Sequence, residues 1–216
     1  DKRLIESQNG ELQQLNQTKD KFFGIIAHDI RSPIIALENV GTQIDYYLQK
    51  GKTEKLQQLS KRIDSTAKRL TNLLDNLLNW ALLQQGVISN QPSAIHLQAT
   101  ILETIEMFQM SAQLKQIQIE ENVDASVVVL VDHNALNTIF RNLMSNAIKL
   151  TPSGGQISIQ ATAKNDLAYI SIKDNGIGMN EDQLKILFQL NKKNRSGTAG
   201  ERGSGLGLLL CKELVD

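Results

Sequence analysis

The chain of 216 residues carries 23 Lys and Arg against 23 Asp and Glu, a formal net charge of zero, and 41% of its residues are hydrophobic. This is an ordinary soluble composition for one or two domains, and neutrality without a basic run disfavours nucleic acid or an anionic membrane surface as the main partner. A single cysteine, Cys211, excludes an intrachain disulfide and suits the cytoplasm. No apolar run approaches the roughly 20 residues of a membrane helix, and the amino end has no signal-peptide pattern, so any membrane or sensing segment is expected outside this chain.

In chain order, Leu4, Gln8, Leu12, Leu15, Lys19 and Phe22 step by threes and fours, the seam of a coiled coil with polar residues at two core positions. It predicts either a route for an upstream signal or a plain dimerising stalk. The phase runs into FFGIIAHDIRSP, Phe22 to Pro33, whose apolar stripe Phe22, Ile26, Ile30 continues through Leu37, Val40, Ile44 and Leu48. At about 100° per residue His28 falls opposite that stripe and faces outward. Asp29 follows it and Ser32 stands one turn on, which gathers an imidazole, a carboxylate and a hydroxyl on one surface.

The glycine stop of Lys50-Gly51-Lys52-Thr53 ends this helix near Gln49 and starts another, striped by Leu56, Leu59, Ile63, Thr66, Leu70, Leu73 and Leu77 and broadened by Leu74, Leu78 and Ala81. Two such helices make an antiparallel hairpin. A lone hairpin cannot cover stripes of that width, so the expected closure is a homodimer whose hairpins form a four-helix bundle with both His28 side chains outward. Trp80 is expected to pack in the core or the interface. The run from Gln84 to Pro92 reads as a linker.

A second domain follows. The pattern predicts a short edge strand at Ile95 to Leu97, a helix from Thr100 to Gln116, strands at 117–119 and Val127 to Val131, and a helix capped by Asp132 that runs to about Leu150. Gln156 to Ala163 and Ala168 to Lys173 alternate apolar and polar residues around Asn165-Asp166, which predicts an antiparallel hairpin. A helix from Glu181 to Leu190, a glycine-rich run and a last helix from Gly205 complete the chain. The fold class is thus an all-α hairpin followed by an α+β sandwich, helices covering one face of a mixed sheet. Expected division is 1–20 stalk, 21–85 helical domain, 86–93 linker and 94–216 α+β domain. Met144, Met179 and Cys211 are expected in the core, His133 at an exposed helix start and His96 on a strand.

Three motifs here carry chemistry. Asn142, Asn146 and Lys149 lie at i, i+4 and i+7 on one helix face, where carboxamide oxygens suit a hard divalent cation and lysine suits phosphate; an ordinary polar face has the same spacing. Asp174-Asn175-Gly176-Ile177-Gly178-Met179 follows a strand, with paired glycines that let a ligand approach and an acid able to accept from an exocyclic amine such as that of adenine. A plain glycine turn is the alternative. Gly203-Ser204-Gly205-Leu206-Gly207-Leu208 opens a helix with bare amides at its positive end, suited to a phosphate chain. Its spacing, and the loop before it, disfavour a dinucleotide fold.

In this order, after a helical hairpin with an exposed HDIRSP, these motifs closely resemble the core of a sensor histidine kinase of two-component signalling. HDIRSP is similar to the phospho-acceptor box, NLMSNAIKLTPSGG to the asparagine box, DNGIGM to the first glycine box and GSGLGL to the second. The resemblance spans nearly all residues from 19 onward. It implies a dimerisation and phosphotransfer domain and an ATP-binding domain of the type shared with gyrase and Hsp90. It implies that His28 accepts the phosphoryl group, that Asp29 holds and polarises the imidazole, that Asn142 holds Mg²⁺ and Asn146 and Lys149 the phosphates of ATP, and that Asp174 reads adenine. Gly176, Gly178, Gly203, Gly205, Leu206, Gly207 and Leu208 complete the implied nucleotide site.

The resemblance also implies a mobile lid over about Asn191 to Arg202, where Lys192, Lys193, Arg195 and Arg202 are candidates for the γ-phosphate and Phe188 for the hinge; residues 191–203 are expected to lack fixed structure without nucleotide. A response regulator receiver domain is the implied partner and an upstream sensor segment the implied input. Ser32 stands where the family usually has Thr or Asn, which weakens the expectation of phosphatase activity. The family's domain usually continues past Asp216 with further strands, so truncation of the ATP-binding domain is expected. The rivals are an ATPase of the same nucleotide fold and a non-catalytic dimeric scaffold.

Overall fold

The computed structural model describes residues 10, 23–24, 26–84, 91–189, 197–199 and 205–215. The coiled-coil seam, most of the linker, Leu190, most of the 191–203 stretch and Gly203 lie outside them, as does the side chain of Trp80. The chain divides into two compact units, Asp1–Ala81 and Leu82–Asp216.

In the first unit residues 26–38 are helical (α1), α2 spans Val40–Gln49 and α3 spans Thr53–Gln84. Pro33 sits within α1, buried, and offers no N–H to the carbonyl one turn back. Asn39 interrupts the helical run, and Gly51, at φ +63°, makes the left-handed turn that ends α2. Ile26, Leu59 and Leu73 are buried at 3% each, as their stripes predict. The other edge of the stripes is bare: Phe23, Ile34, Ile35, Leu48, Leu74 and Leu78 are all exposed. That is an unusually apolar surface for so small a helical unit.

The second unit holds β1 (Ser93–His96), α4 (Leu97–Leu114), β2 (Gln118–Val123), β3 (Val128–Val131), α5 (His133–Leu150), β4 (Gln156–Lys164), β5 (Leu167–Asp174), α6 (Glu181–Lys185) and α7 (Gly207–Val215). The strands form two sheets, antiparallel β1-β3 and mixed β2-β4-β5, in which β2 runs parallel to β4 and β5 antiparallel to it. Asn165 and Asp166, at φ +52° and +58°, make the tight β4–β5 turn that these two residue types tolerate. One face of the mixed sheet carries Ile157, Ile159 and Ala161 into a core shared with Leu97, Ile101 and Ala112 of α4 and Leu136, Phe140, Met144, Ala147 and Ile148 of α5.

Asp132 caps α5 as expected, its carboxylate accepting from the Ala135 amide at 3.0 Å, an arrangement worth about 1 kcal/mol. α4 ends in a Schellman motif: the Ile117 amide donates to Ala112 O and the Gln116 amide to Gln113 O, both at 2.9 Å, while Gln116 takes φ +54° without being glycine. Two expectations fail. α6 stops at Lys185 instead of Leu190, because Leu184, Ile186 and Phe188 are exposed and no burial sustains further turns. Met179 is 44% exposed and not core, since Gly178, at φ +59°, turns the chain outward just before it.

Candidate active site

On the first unit His28 is open to solvent, its side chain 84% exposed and Asp29's 19%. Neighbours in a helix point about 100° apart, yet the two side chains lean together and place His28 Nδ1 3.1 Å from Asp29 Oδ1. A carboxylate can only accept, so Nδ1 carries the proton of this bond and the lone pair of the neutral ring is left on Nε2. The outward nitrogen is therefore the nucleophilic one. Ser32 is exposed one turn along the same helix.

On the second unit α5 buries one face and turns Asn142, Asn146 and Lys149, all half-buried, the other way. Asn142 is oriented by the bond from its Nδ2 to Thr138 O at 2.9 Å, which leaves its Oδ1 directed at Gly207, the first residue of α7. A Cβ at position 207 would overlap that oxygen, so glycine is what lets the second glycine box come up against the asparagine box. Leu206 is buried at 4% and Leu210 at 2%, which anchors α7 and leaves Leu206 only its backbone to offer a ligand. Gly205, at φ +73°, makes the turn into that helix, and Leu208 is half-buried beyond it.

The Asp174 loop is tied at both flanks. Asn175 pairs with Gln156, its side-chain Oδ1 accepting from that amide at 2.8 Å and its own amide donating to Gln156 O at 3.2 Å. The Gly176 amide donates to Asp174 Oδ1 at 2.9 Å and the Ile177 amide to Leu150 O at 3.2 Å. One oxygen of the exposed Asp174 is thus held inward, and the other is available to a donor. Cys211 takes no part: burial pushes its thiol up to about 11, and the neutral group lies 3.9 Å from Ile139 O between α7 and α5.

A model of the His Kinase A (phospho-acceptor) domain matches residues 18–86, and a model of the histidine kinase-, DNA gyrase B- and HSP90-like ATPase matches residues 131–216. This chain belongs to the sensor histidine kinases. The circadian input-output histidine kinase CikA of Synechococcus elongatus is 28% identical over 210 residues, which cover 94% of this chain and 28% of that protein. The histidine kinase AdeS of Acinetobacter baumannii aligns with a TM-score of 0.66 at 17% identity, over 87% of this chain and 85% of that one. Histidine kinase ThkA, in its complex with the response regulator protein TrrA, aligns with a TM-score of 0.55 at 18% identity, over 89% and 56%. At such identities the two structures speak for the fold alone. The chain spans between 16% and 43% of the length of four curated relatives.

In this sensor histidine kinase, two residues that the sequence pattern did not single out meet beside Lys149. Lys115, at the end of α4, reaches the carboxyl end of α5 with its ammonium, and Thr198 joins it there. Of the glycine-rich stretch, residues 197–199 are described, and there the Thr198 amide donates to Lys149 O at 3.0 Å. Gly176, unlike Gly178 in the same loop, has no room for a side chain: a Cβ there would stand 2.5 Å from Leu150 O and 2.6 Å from Asp174 Oδ1. Backbone cannot give way as a side-chain tip can. Gly176→Ala should therefore lower stability by about 1–3 kcal/mol and weaken nucleotide binding with it; thermal unfolding and titration of an ATP analogue check this, and a wild-type melting temperature would contradict the tight contact.

Proposed function

We propose that this chain is the phosphotransfer and ATP-binding core of a protein histidine kinase, which phosphorylates itself on His28 from ATP and passes the group to an aspartate of a response regulator receiver domain. The observation that carries the reading is the exposed His28 with its Nδ1 held by Asp29, in one chain with a helix end, an asparagine face and a glycine loop fitted to a nucleotide. Nε2 attacks the γ-phosphorus, the bond from that phosphorus to the β–γ bridging oxygen breaks, and ADP leaves. The receiver's carboxylate then takes the phosphoryl group from nitrogen and restores the imidazole.

Each residue has a task in that step. Asp174 accepts from the adenine amine, Lys149 and Asn146 bind phosphate oxygens, and the amides of Gly205, Leu206, Gly207 and Leu208 at the start of α7 face the phosphate chain, with Gly203 before them. Gly176 and Gly178 keep the adenine side open to the ligand. The donor set also fits a magnesium ion: Asn142 offers one neutral carboxamide oxygen, a hard ligand that would add to an ion held mostly by phosphates and water. When bound, it would screen the charge that develops on the phosphates.

Two copies complete the helical unit. The bare apolar edge of α1 to α3 supports a symmetric dimer closed as a four-helix bundle, with residues 1–20 as its stalk, 21–85 as the dimerisation and phosphotransfer domain, 86–93 as linker and 94–216 as the ATP-binding domain. Ser32 adds a hydroxyl to the face of His28, but as a serine in the place of Thr or Asn it supports dephosphorylation of the same regulator less than His28 supports the kinase. The setting is the cytoplasm, downstream of a sensor segment; no described helix is long and apolar enough to cross a membrane.

Incubation with Mg²⁺ and ATP labelled on its γ-phosphate tests the reading. Label should stay on the protein through base and be lost in acid, as a phosphorus–nitrogen bond requires. Release of inorganic phosphate with no label retained would make it an ATPase, and neither event would leave a scaffold.

A further inference from the structure

The carboxyl end of α5 is a junction that the nucleotide-binding motifs do not account for. Lys115 Nζ lies 2.8 Å from Ile148 O, 3.2 Å from Lys149 O and 3.3 Å from Thr151 O, so one ammonium gathers three carbonyls at the negative end of the helix. The same ammonium reaches Thr198 Oγ1 at 2.8 Å, so its three N–H groups are shared among four acceptors, with Thr151 O the longest contact. Thr198 in turn donates its amide to Lys149 O at 3.0 Å and its hydroxyl to Thr151 O at 2.8 Å, with Lys149 O at 3.3 Å the longer alternative. Its hydroxyl is thus used as acceptor and donor at once.

Position matters more than number. Lys149 is the phosphate-binding lysine of the proposed site, and Thr198 and Lys115 hold the backbone of that very residue. The next carbonyl, of Leu150, receives the Ile177 amide of the Asp174 loop, and the Gly154 amide donates to Lys115 O at 2.9 Å. One turn of chain, 148–151, therefore carries the phosphate lysine, the adenine loop and a fixed point of the glycine-rich stretch, all braced from α4. Lys115 is the Ccap residue of α4, at the start of its Schellman turn.

We infer that Lys115 and Thr198 form a positioning clasp for the nucleotide site: they fasten the segment 197–199 and the backbone of Lys149 to each other, so that the turn 148–151, which carries the phosphate lysine and receives the Asp174 loop, is set before ATP arrives. The inference rests on the nucleotide reading of Lys149 and Asp174. Binding then spends less on ordering the site, which improves affinity in the ground state and transition state alike. The clasp therefore acts on KM and leaves kcat nearly alone.

The test compares Thr198→Val, which keeps the shape and loses the hydroxyl, with Thr198→Ser, which keeps it, and Lys115→Met with the wild type. Thr198→Val and Lys115→Met should raise KM for ATP about fivefold to tenfold, the loss expected of one net hydrogen bond, with kcat within twofold and Thr198→Ser near wild type. Amide exchange at 197–199 without nucleotide should quicken in Lys115→Met. A fall in melting temperature with unchanged KM would make the pair merely structural and overturn the inference. So would unchanged exchange at 197–199. Asp174→Asn, run alongside, separates the two readings: unchanged ATP affinity in that variant would fault the nucleotide site, and the exchange result would still decide whether Lys115 fastens Thr198.

Discussion

His28→Gln should reduce phosphorylation of the protein to background while leaving ATP binding intact. The imidazole is 84% exposed and packs against nothing that folding needs, so glutamine there costs within about 0.5 kcal/mol of stability. What it removes is the lone pair on Nε2. A carboxamide nitrogen is not a nucleophile, and a serine hydroxyl would form a phosphoester, not the base-stable, acid-labile phosphorus–nitrogen bond that the assay reads. Asp29→Asn should behave differently: Oδ1 can still accept from Nδ1, but the charge that steadies the ring as it turns cationic is gone, so transfer should slow by about 10²-fold with nucleotide affinity unchanged. Radiolabel retained after base treatment, read beside calorimetry with a non-hydrolysable ATP analogue, distinguishes the outcomes. Label retained on His28→Gln would sink the assignment, and an equal loss of ATP binding would show that His28 had been holding the fold.

What could be foreseen from the sequence was whatever depends on near neighbours. Asp132 caps α5 because its partner amide is three residues on, and Asn165-Asp166 turns the hairpin because only the φ of those two residues is at stake. The asparagine face was legible for the same reason: one helix places Asn142, Asn146 and Lys149 without help from elsewhere. Gly207 was legible as a glycine of a phosphate motif, but its meeting with Asn142 was not, since they are far apart in sequence and only the packing of α7 on α5 joins them. Lys115 and Thr198 carry no local signal at all. Their partners lie 33 to 83 residues away, and a lysine at a helix end or a threonine in a glycine run looks the same with or without them. The two overturned expectations, α6 to Leu190 and Met179 in the core, share a cause: apolar periodicity states what would be buried if something covered it, and here the described chain leaves Leu184, Phe188 and Met179 in the open.

Asp174→Asn and Asn142→Ala should both cripple nucleotide binding, and in opposite halves of the ligand. In Asp174 one oxygen is committed to the Gly176 amide at 2.9 Å, so in the proposed site the other is the one left to accept from the adenine amine. An asparagine keeps the inward bond through its carbonyl and turns its own NH₂ outward, donor against donor. Loss of an acceptor that is charged costs about 1.5–3 kcal/mol, or 10-fold to more than 100-fold in affinity, and it should be felt by adenosine as much as by ATP. The same substitution now offers a donor to a 6-oxo group, so the preference for ATP over GTP should fall. Asn142→Ala touches no part of the base. It removes the carboxamide oxygen facing Gly207, so adenosine should bind as before, whereas the gain in ATP affinity on adding Mg²⁺ should shrink. Calorimetry with adenosine, and with the ATP analogue with and without Mg²⁺, reads both effects on the same two proteins. Adenosine lost by Asn142→Ala and kept by Asp174→Asn would reverse the proposed roles of the two motifs, and with them the ends of the nucleotide assigned to each.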